Sequence, residues 1–353
     1  EGDEAGRRIT SRSPSLPLTW TGSTPTKIVV WSRIAEALLL ERLGPIQGLE
    51  PQAVRDFASL PAALADADIL LMPGGDYSRT VADIVREHAA RLKFIQLVTA
   101  GYEGLEDHGV PAGVIVANAG DSWSPSVAEQ AMMLMLALIR KLPMALDAQS
   151  RRVWESPLIS PRMRSLNGRT LVIVGYGSIG REVAQRARGF GMRIVGVSRR
   201  ALPDALLDEV RRADELDTVL SQADVVLVAV PSGARTRGLI GATQLAACKP
   251  GALLINVARG NVVDRAALID ALTTGRLAGA GIDVTDPEPL PTDDPLWSTP
   301  NLIITPHVSG ASGPEGFARL ADIVCANVAR YVAGQAPLHQ VQVPLPSNFP
   351  RNP

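Results

Sequence analysis

The feature that most constrains the fold is a glycine-rich turn placed between an apolar run and a helical pattern. The segment LVIVGYGSIGREVA puts Gly175, Gly177 and Gly180 at the G-x-G-x-x-G spacing. A strand that enters such a turn and leaves it as a helix is part of a βαβ unit, which joins two parallel strands through a crossover helix. The turn therefore predicts a parallel sheet with helices on its faces.

The same glycines predict a phosphate-binding turn. Gly175 permits the tight turn, Gly177 lets the backbone approach a pyrophosphate, and Gly180 allows close packing of helix on strand. The N-terminus of the helix then offers free N–H groups and a positive dipole end. We expect a bound dinucleotide here; a glycine-rich turn without a ligand is the alternative.

Apolar runs alternate with helical patterns in two series along the chain, which predicts two parallel α/β units. The first series is expected to form strands at 27–32, 68–72, 94–98 and 114–117, with helices at 34–43 and 79–91. The second series is expected to form strands at 170–174, 193–198, 224–230, 253–258, 278–283 and 301–305.

Two further helices flank the second series. Residues 126–142 form an apolar helix that Pro143 is expected to end, and residues 144–168 are expected to be rich in loops. Such a helix is normally buried between layers or at an interface. The last helix, 314–333, is expected to return to the first unit and make it discontinuous.

Composition narrows the class of protein. A chain of 353 residues fits about two domains of roughly 150 residues each, and a formal net charge of −1 makes nucleic acid an unsuitable partner. The longest apolar run, 131–139, is too short to span a membrane. Cys248 and Cys325 lack metal-ligand spacing, so we expect no metal site, a reducing compartment and a cytoplasmic location. Residues 1–24 are expected to be a disordered leader and 344–353 a loose tail.

The residues after the second strand of the second series, expected at 193–198, predict the choice of cofactor. Val197 is followed by Ser198, Arg199 and Arg200, where a site specific for NAD usually has an acid that binds the ribose 2′-hydroxyl. A hydroxyl and two guanidinium groups suit a 2′-phosphate instead. We therefore expect NADP, with NAD still possible; a solvated basic turn is the alternative.

Three late strands lead into residues that can carry chemistry. LLINVA runs into Arg259, GAGID contains Asp283 and leads to Glu288, and NLIITP runs into His307. Ligands bind at the carboxyl ends of parallel strands, so we expect these side chains to meet over the nicotinamide.

Their chemistry fits the reduction of a 2-keto acid. Arg259 would hold the substrate carboxylate, His307 would protonate the carbonyl oxygen, and Glu288 would orient and charge the imidazole. Each residue also has an ordinary interpretation: a surface arginine, a solvated carboxylate, and a histidine satisfied within the core. The joint arrangement favours a catalytic set.

The motifs INVARGNVVD, GAGIDVTDPEPLP, DDPLW and NLIITPHVSG closely resemble those of D-isomer-specific 2-hydroxyacid dehydrogenases over most of residues 70–340. The resemblance implies an α/β fold of two Rossmann-like domains, one flavodoxin-like for the substrate and one doubly wound for the coenzyme, with a cleft between them. It implies a substrate domain at 25–122 plus 309–343 and a dinucleotide-binding domain at 123–308.

The resemblance also implies particular contacts. In the segment VTAGYEGLE, the amides of Ala100 and Gly101 would hold the substrate carboxylate together with Arg259, and Asp283 would contact the nicotinamide carboxamide. Further cofactor contacts are expected at Ser178, Ile179, Val230, Pro231, Thr236, Val257 and Ala258. Members of the family are usually homodimers, and we expect the helix 126–142 and the segment around Trp154 at that interface, with ordinary core packing as the alternative.

The basic turn at 198–200 resembles that of glyoxylate and hydroxypyruvate reductases that use NADPH. Relatives that oxidise formate carry Gln in place of Glu288, which argues against formate, whereas phosphite oxidation stays open. A nucleotide-sensing binding protein with the same catalytic set is the competing function. The side chain of the substrate does not follow from the sequence.

Overall fold

Two parallel sheets, each covered by helices, form the part of the chain that the structure describes. The computed structural model covers residues 25–343 and Leu345. The expected leader at 1–24 and, apart from Leu345, the expected tail from 344 onward lie outside these residues.

The first sheet has five parallel strands in the order β2-β1-β3-β4-β5. This is the flavodoxin-like order that the resemblance implies. Its strands are β1 Thr26–Val30, β2 Leu49–Ala53, β3 Ile69–Met72, β4 Phe94–Leu97 and β5 Ile115–Ala117. The helices between them are α1 Glu36–Leu43, α2 Leu60–Leu64, α3 Arg79–His88 and α4 Glu103–His108.

The second sheet has seven parallel strands in the order β12-β11-β10-β9-β6-β7-β8. The chain adds strands on one side from β6 to β8 and on the other side from β9 to β12, so the strand order reverses between β6 and β9. This is the doubly wound order, extended by one strand. Its strands are β6 Thr170–Val174, β7 Arg193–Ser198, β8 Glu209–Arg212, β9 Val225–Val228, β10 Ala252–Asn256, β11 Leu277–Ile282 and β12 Leu302–Ile304. Its helices are α5 Ser124–Ile139, α6 Leu142–Ser150, α7 Ser156–Ile159, α8 Ser178–Gly189, α9 Leu216–Leu220, α10 Ala242–Ala247 and α11 Arg265–Thr273. The α/β class and both sheets are confirmed.

Two strands were absent from the sequence prediction, and both lie at an edge of a sheet. β2 has the sequence LEPQA and pairs only with β1, while β8 has the sequence EVRR and pairs only with β7. Edge strands carry charge and proline because one of their sides faces solvent, so they lack the apolar run by which the other strands were recognised.

The prediction of one helix over 126–142 that ends at Pro143, followed by loops to 168, is wrong. The first helix, α5, starts at Ser124 and ends at Ile139; Lys141 adopts a left-handed conformation with φ of 56°, and α6 begins at Leu142. Pro143 lies in the first turn of α6, where the missing N–H costs nothing because that donor has no partner within the helix.

The last helix, α12 (Gly313–Val332), packs on the first sheet, as expected. Its buried Asn327 donates a hydrogen bond to the Gln96 side chain on β4 at 2.7 Å. The chain crosses between the two sheets around Trp123, which packs against the cores on both sides. None of the helices in the described part of the chain is long and apolar enough to cross a membrane.

Candidate active site

The three glycines of the fingerprint occupy three different environments. At Gly175, φ is 100° and a Cβ would come 2.6 Å from the carbonyl oxygen of Ala229, so this position requires glycine. At Gly180 a Cβ would lie 2.8 Å from the Gly175 carbonyl oxygen, which is the close approach of helix to strand. At Gly177, the N-cap of α8, nothing lies within 4 Å of a Cβ. The turn is thus packed on two sides and open beside the helix N-terminus, as a pyrophosphate site requires.

The basic turn follows β7 on the surface. Arg199 and Arg200 are exposed, and neither forms an ion pair with any residue that the structure describes, whereas the Ser198 hydroxyl accepts a hydrogen bond from the Ala201 N–H at 3.1 Å. The nearest acid further along this loop, Asp204, accepts a hydrogen bond from Arg181 Nε at 2.9 Å and one from a backbone N–H. Its carboxylate is therefore already engaged by the protein.

The other residues expected to bind the cofactor follow β6, β9 and β10, which are neighbouring strands of the second sheet. Ser178 and Ile179 form the first turn of α8, and Val257 and Ala258 are buried directly after β10. Three more lie after β9: Val230, Pro231 and Thr236. The Thr236 hydroxyl donates to the Pro231 carbonyl at 2.8 Å, which closes this loop on itself.

His307 and Glu288 form the hydrogen-bonded pair that the sequence predicts. Nδ1 of His307 lies 2.7 Å from Oε2 of Glu288, and the other Glu288 oxygen accepts a bond from the Thr285 N–H at 2.9 Å. The hydrogen bond to Glu288 raises the pKa of His307 above its ordinary value, although burial opposes the shift. Burial pushes the pKa of Glu288 upward, but the bonds from His307 and Thr285 outweigh it and lower that pKa. Nε2 of His307 has no hydrogen-bond partner among the described residues and is free to meet a ligand.

Asp283 holds the loop that carries His307. Its buried carboxylate accepts hydrogen bonds from the Thr305 hydroxyl at 2.5 Å, the Val308 N–H at 3.1 Å and the Ser309 N–H at 2.9 Å. The N–H of His307 donates to the Asp283 carbonyl at 2.7 Å. These bonds hold His307 at a φ of 52°, a left-handed conformation that is uncommon for residues other than glycine. This anchoring role was not expected from the sequence.

Arg259 reaches from the second sheet to the loop after β4. Its Nε donates to Glu103 Oε1 at 2.8 Å, and its Nη1 donates to the Ala258 carbonyl at 2.7 Å. A Cβ added to Gly101 would overlap Nη2, so the guanidinium lies against the main chain of that glycine. Arg259, Glu288 and His307 follow β10, β11 and β12, which are neighbouring parallel strands, so the predicted catalytic residues lie at the same edge of the second sheet.

The loop that carries Ala100 and Gly101 is fixed through its carbonyl groups. Asn118 Nδ2 donates to the Ala100 carbonyl at 2.8 Å, and the Thr99 hydroxyl donates to the Gly101 carbonyl at 3.1 Å. Within the described residues, neither the Ala100 nor the Gly101 N–H has a hydrogen-bond partner. Two consecutive main-chain donors, one of them in the glycine that lies against Arg259, therefore have no acceptor among the described residues.

Sequence reasoning missed Glu103 and Asn118. The only local indication of a role for Glu103 is its own position, as an acidic residue two positions after Gly101. Its partner Arg259 is 156 residues away, so only the fold reveals the ion pair. Asn118 directly follows β5, the last strand of the first sheet, and no sequence motif indicated a role for it.

This chain belongs to the D-isomer specific 2-hydroxyacid dehydrogenase family, a family of oxidoreductases. The family's model of the NAD binding domain matches residues 132–309. That range contains the glycine turn, Arg259, Glu288 and His307. The second sheet is therefore the core of an NAD-binding domain, as the sequence predicts.

Two curated relatives are similar over most of this chain. A glyoxylate reductase of Thermococcus gammatolerans is 36% identical over 72% of this chain and 77% of its own length. A D-3-phosphoglycerate dehydrogenase of Methanocaldococcus jannaschii is 34% identical over 80% of this chain. The matched part spans about half of the latter protein, 53% of its length.

A solved structure shares the whole architecture. A D-isomer specific 2-hydroxyacid dehydrogenase family protein from Aeromonas salmonicida superposes with a TM-score of 0.80 and is 32% identical. The superposition covers 90% of this chain and 99% of that one. Both sheets therefore belong to the family fold.

Proposed function

We propose that this protein is a reductase that converts small 2-keto acids, such as glyoxylate or hydroxypyruvate, into D-2-hydroxy acids with NADPH. The observation that carries the proposal is that Arg259 and the hydrogen-bonded pair of His307 and Glu288 follow the carboxyl ends of neighbouring strands, with Arg259 lying against the main chain of Gly101. Reduction of a 2-keto acid needs a fixed positive group for the carboxylate and a proton donor for the carbonyl oxygen.

The substrate carboxylate is held between the two domains. Arg259 Nη2 is the one guanidinium nitrogen with no hydrogen-bond partner among the described residues, and it lies against Gly101. The N–H groups of Ala100 and Gly101 complete a set of donors for a carboxylate. Charge-assisted bonds of this kind fix orientation as well as binding.

His307 supplies the proton. Its Nδ1 is held by Glu288, so the proton delivered to the carbonyl oxygen comes from Nε2. Because Glu288 favours the charged imidazolium, the acid form is present at a higher pH than an isolated histidine would allow. In the reverse direction, neutral His307 accepts the proton of the hydroxy acid.

The glycine turn fits the cofactor. The open face at Gly177 and the N-terminus of α8 would bind the pyrophosphate. When bound, NADPH supplies the hydride that adds to the carbonyl carbon. The other contacts that we propose for the cofactor are those of Ser178, Ile179, Val230, Pro231, Thr236, Val257, Ala258 and Asp283.

NADPH is proposed over NADH because of the turn after β7. The exposed guanidinium groups of Arg199 and Arg200 carry no ion pair within the described chain, and Asp204 is engaged by Arg181, so no free carboxylate competes for a ribose hydroxyl. A 2′-phosphate supplies the acceptor that two arginines need.

Replacing Arg199 and Arg200 together by alanine is expected to raise the KM for NADPH by at least roughly tenfold, since each charge-assisted hydrogen bond is worth about 1.5–3 kcal/mol. The KM for NADH is expected to change little, because NADH has no 2′-phosphate. Initial rates with each cofactor measure both values. Arg33→Ala, an exposed arginine on the first unit, is the control. Equal losses with both cofactors would contradict the assignment.

The proposed activity is tested by following NADPH oxidation with glyoxylate, hydroxypyruvate and phenylpyruvate. Rapid turnover of any of them supports a reductase. Tight binding of NADPH without turnover across a broad panel of 2-keto acids would instead support a nucleotide-sensing protein. Phosphite with NADP in the oxidising direction tests the remaining alternative chemistry.

The pH dependence follows from the pair of His307 and Glu288. Reduction needs protonated His307. We therefore expect kcat/KM for the keto acid to be at its maximum when the pH is below the raised pKa of His307, and to fall as the pH rises through that pKa. Glu288→Gln removes the charge that raises this pKa. We therefore expect the falling limb to move to lower pH, which a kcat/KM profile in the reducing direction measures.

The oxidising direction provides an internal check on this shift. Oxidation of the hydroxy acid needs neutral His307, so its rising limb reports the same group and should move to lower pH in Glu288→Gln. Glu315→Gln, at the exposed start of α12, should leave both limbs in place. If the falling limb for reduction and the rising limb for oxidation stayed at the wild-type pH in Glu288→Gln, or shifted in opposite directions, the result would count against the assignment of His307 as the proton donor.

We also propose the domain division 25–122 plus 309–343 and 123–308. Packing of α12 on the first sheet and the position of Trp123 between the two cores support it. A cytoplasmic location remains part of the proposal, supported by two free cysteines, Cys248 and Cys325.

A homodimer is proposed, and the structure suggests which residues would form it. Helix α5 is mostly buried within the second unit, so ordinary packing explains most of its apolar face. Exposed apolar side chains of α5 and of the segments that follow it would supply an apolar surface instead, in which Trp154 is 93% exposed. Its other exposed apolar side chains are Met133, Leu142, Leu146, Val153, Leu158 and Phe190. A surface of this kind is typical of a subunit interface.

A further inference from the structure

One ion pair joins the substrate loop to the catalytic arginine. Glu103, the first residue of α4, accepts a hydrogen bond from Arg259 Nε at 2.8 Å. The two side chains are 37% and 34% exposed, so both are partly shielded from solvent. The pair connects the two sheets at the point where the substrate carboxylate is proposed to bind.

Both charges of this pair lie against the same glycine. A Cβ on Gly101 would overlap Arg259 Nη2 and would come 2.6 Å from Glu103 Oε2. A carboxylate bound by the Gly101 N–H and Nη2 therefore has the Glu103 carboxylate as a close neighbour. Glu103 fixes the guanidinium from one side, and it also adds a negative charge beside the ligand.

The loops around this point contribute acids and no cations. Residues 73–78 and 98–109 contain Asp76, Glu103, Glu106 and Asp107 but neither lysine nor arginine. Burial raises the pKa of Asp76; burial and then the charges of Glu103 and Asp107 raise that of Glu106. The loops on the substrate side therefore carry an excess of acidic side chains.

The catalytic charges balance each other. Arg259 is matched by Glu103, and protonated His307 is matched by Glu288, so the two pairs carry no net charge. The nearest arginine along the chain, Arg79, begins α3 and has interactions of its own. One carboxylate can be held by directed hydrogen bonds, whereas a second anionic group would meet the acids of these loops. Arg199, whose charge acts on Tyr102, is the one described cation without an ion pair that acts on this loop, and it is proposed to be taken up by the 2′-phosphate of the cofactor.

We propose that this site takes 2-keto acids that carry a single negative charge and rejects those with a second one, and that Glu103 is the positioning residue that imposes the choice. The proposal rests on the proposed reductase function and names its substrate class. It separates this chain from its phosphoglycerate dehydrogenase relative, whose name indicates a phosphorylated substrate.

The test compares two pairs of substrates whose members differ in charge, and the members of the second pair are also similar in size. Hydroxypyruvate is paired with 3-phosphohydroxypyruvate, and 2-oxohexanoate with 2-oxoglutarate. In the wild-type protein we expect kcat/KM to favour the singly charged member of each pair by at least roughly tenfold, from Coulomb repulsion at close range. The second pair separates the effect of charge from that of size.

Glu103→Gln is expected to change two measurements. The KM for hydroxypyruvate should rise about tenfold with a smaller change in kcat, because Arg259 loses the charge that orients it. The preference for the singly charged substrate should narrow by roughly tenfold in both pairs, because the repulsion is removed. The effect on Arg259 is common to all substrates and cancels in the ratio.

Two further variants make the result specific. Glu103→Asp keeps the charge and should keep the preference even if KM rises, whereas Glu41→Gln, on the exposed side of α1, should match the wild type. NADPH binding, followed by fluorescence, should be equal in all of them, which reports that each variant is folded.

The possible results separate the two proposals. Wild-type protein that reduces both members of each pair equally, or a Glu103→Gln variant with an unchanged ratio, would overturn the charge selectivity and leave the reductase assignment standing. Wild-type protein that reduces no 2-keto acid would overturn both.

Discussion

Replacing His307 by asparagine should lower kcat for reduction of the preferred 2-keto acid by about a thousandfold or more, since a positioned general acid contributes 10²–10⁴ in rate. Asparagine is the right substitute because it tolerates the left-handed φ of 52° at this position, so the loop around Asp283 is retained. Steady-state NADPH oxidation measures the loss.

In His307→Asn, the loss of catalysis should occur without a loss of cofactor binding. Fluorescence titration should give an unchanged Kd for NADPH, because His307 lies away from the glycine turn and the basic turn. His88→Gln, on the exposed end of α3, should retain full activity. If His307→Asn had a kcat close to that of the wild type, His307 would not be the proton donor. If the variant lost NADPH binding, the role of His307 would be structural.

Replacing Arg259 by lysine should lower kcat/KM for the keto acid by roughly a hundredfold to a thousandfold, although the positive charge is kept. The guanidinium acts in three directions: Nε on Glu103, Nη1 on the Ala258 carbonyl and Nη2 toward Gly101, where the substrate carboxylate is proposed to bind. An ammonium group is a point charge and cannot satisfy all three at once. Saturation curves for substrate and cofactor give the separate constants.

Arg237→Lys is the matched control for this variant. Arg237 is exposed and lies 3.7 Å from Asp286, a weak surface pair close to the same strand ends. It should therefore tolerate lysine. Full activity of Arg259→Lys would show that charge alone suffices, and the proposed fork between Glu103 and the substrate would be wrong.

Much of the fold followed from local sequence. Strands in a parallel sheet are buried on both faces, so β3, β6 and β9 appear as unbroken apolar runs, and the glycine turn locates the crossover to α8. The same reasoning could not find β2 or β8, because strands at an edge face solvent on one side and are polar. Pro143 misled the helix prediction because proline fits the first turn of a helix as well as it ends one.

The candidate site was partly visible in the same way. Arg259, Glu288 and His307 each follow a late strand, and the structure brings them to one region through the parallel register of β10, β11 and β12. Glu103 gave no comparable signal, since nothing in its own segment indicates an arginine on another sheet.

The sequence by itself determined the two parallel α/β units, the glycine turn and the residue types proposed to reduce a keto acid, because strand burial, turn geometry and the intrinsic chemistry of a side chain are local properties. Only the tertiary structure decided that Glu103 meets Arg259 over Gly101, that Asp283 holds the His307 loop, and that α12 returns to the first sheet. Those contacts join residues far apart in the chain. They form only when the chain has folded, and the pair of Glu103 and Arg259 also needs the two units packed together.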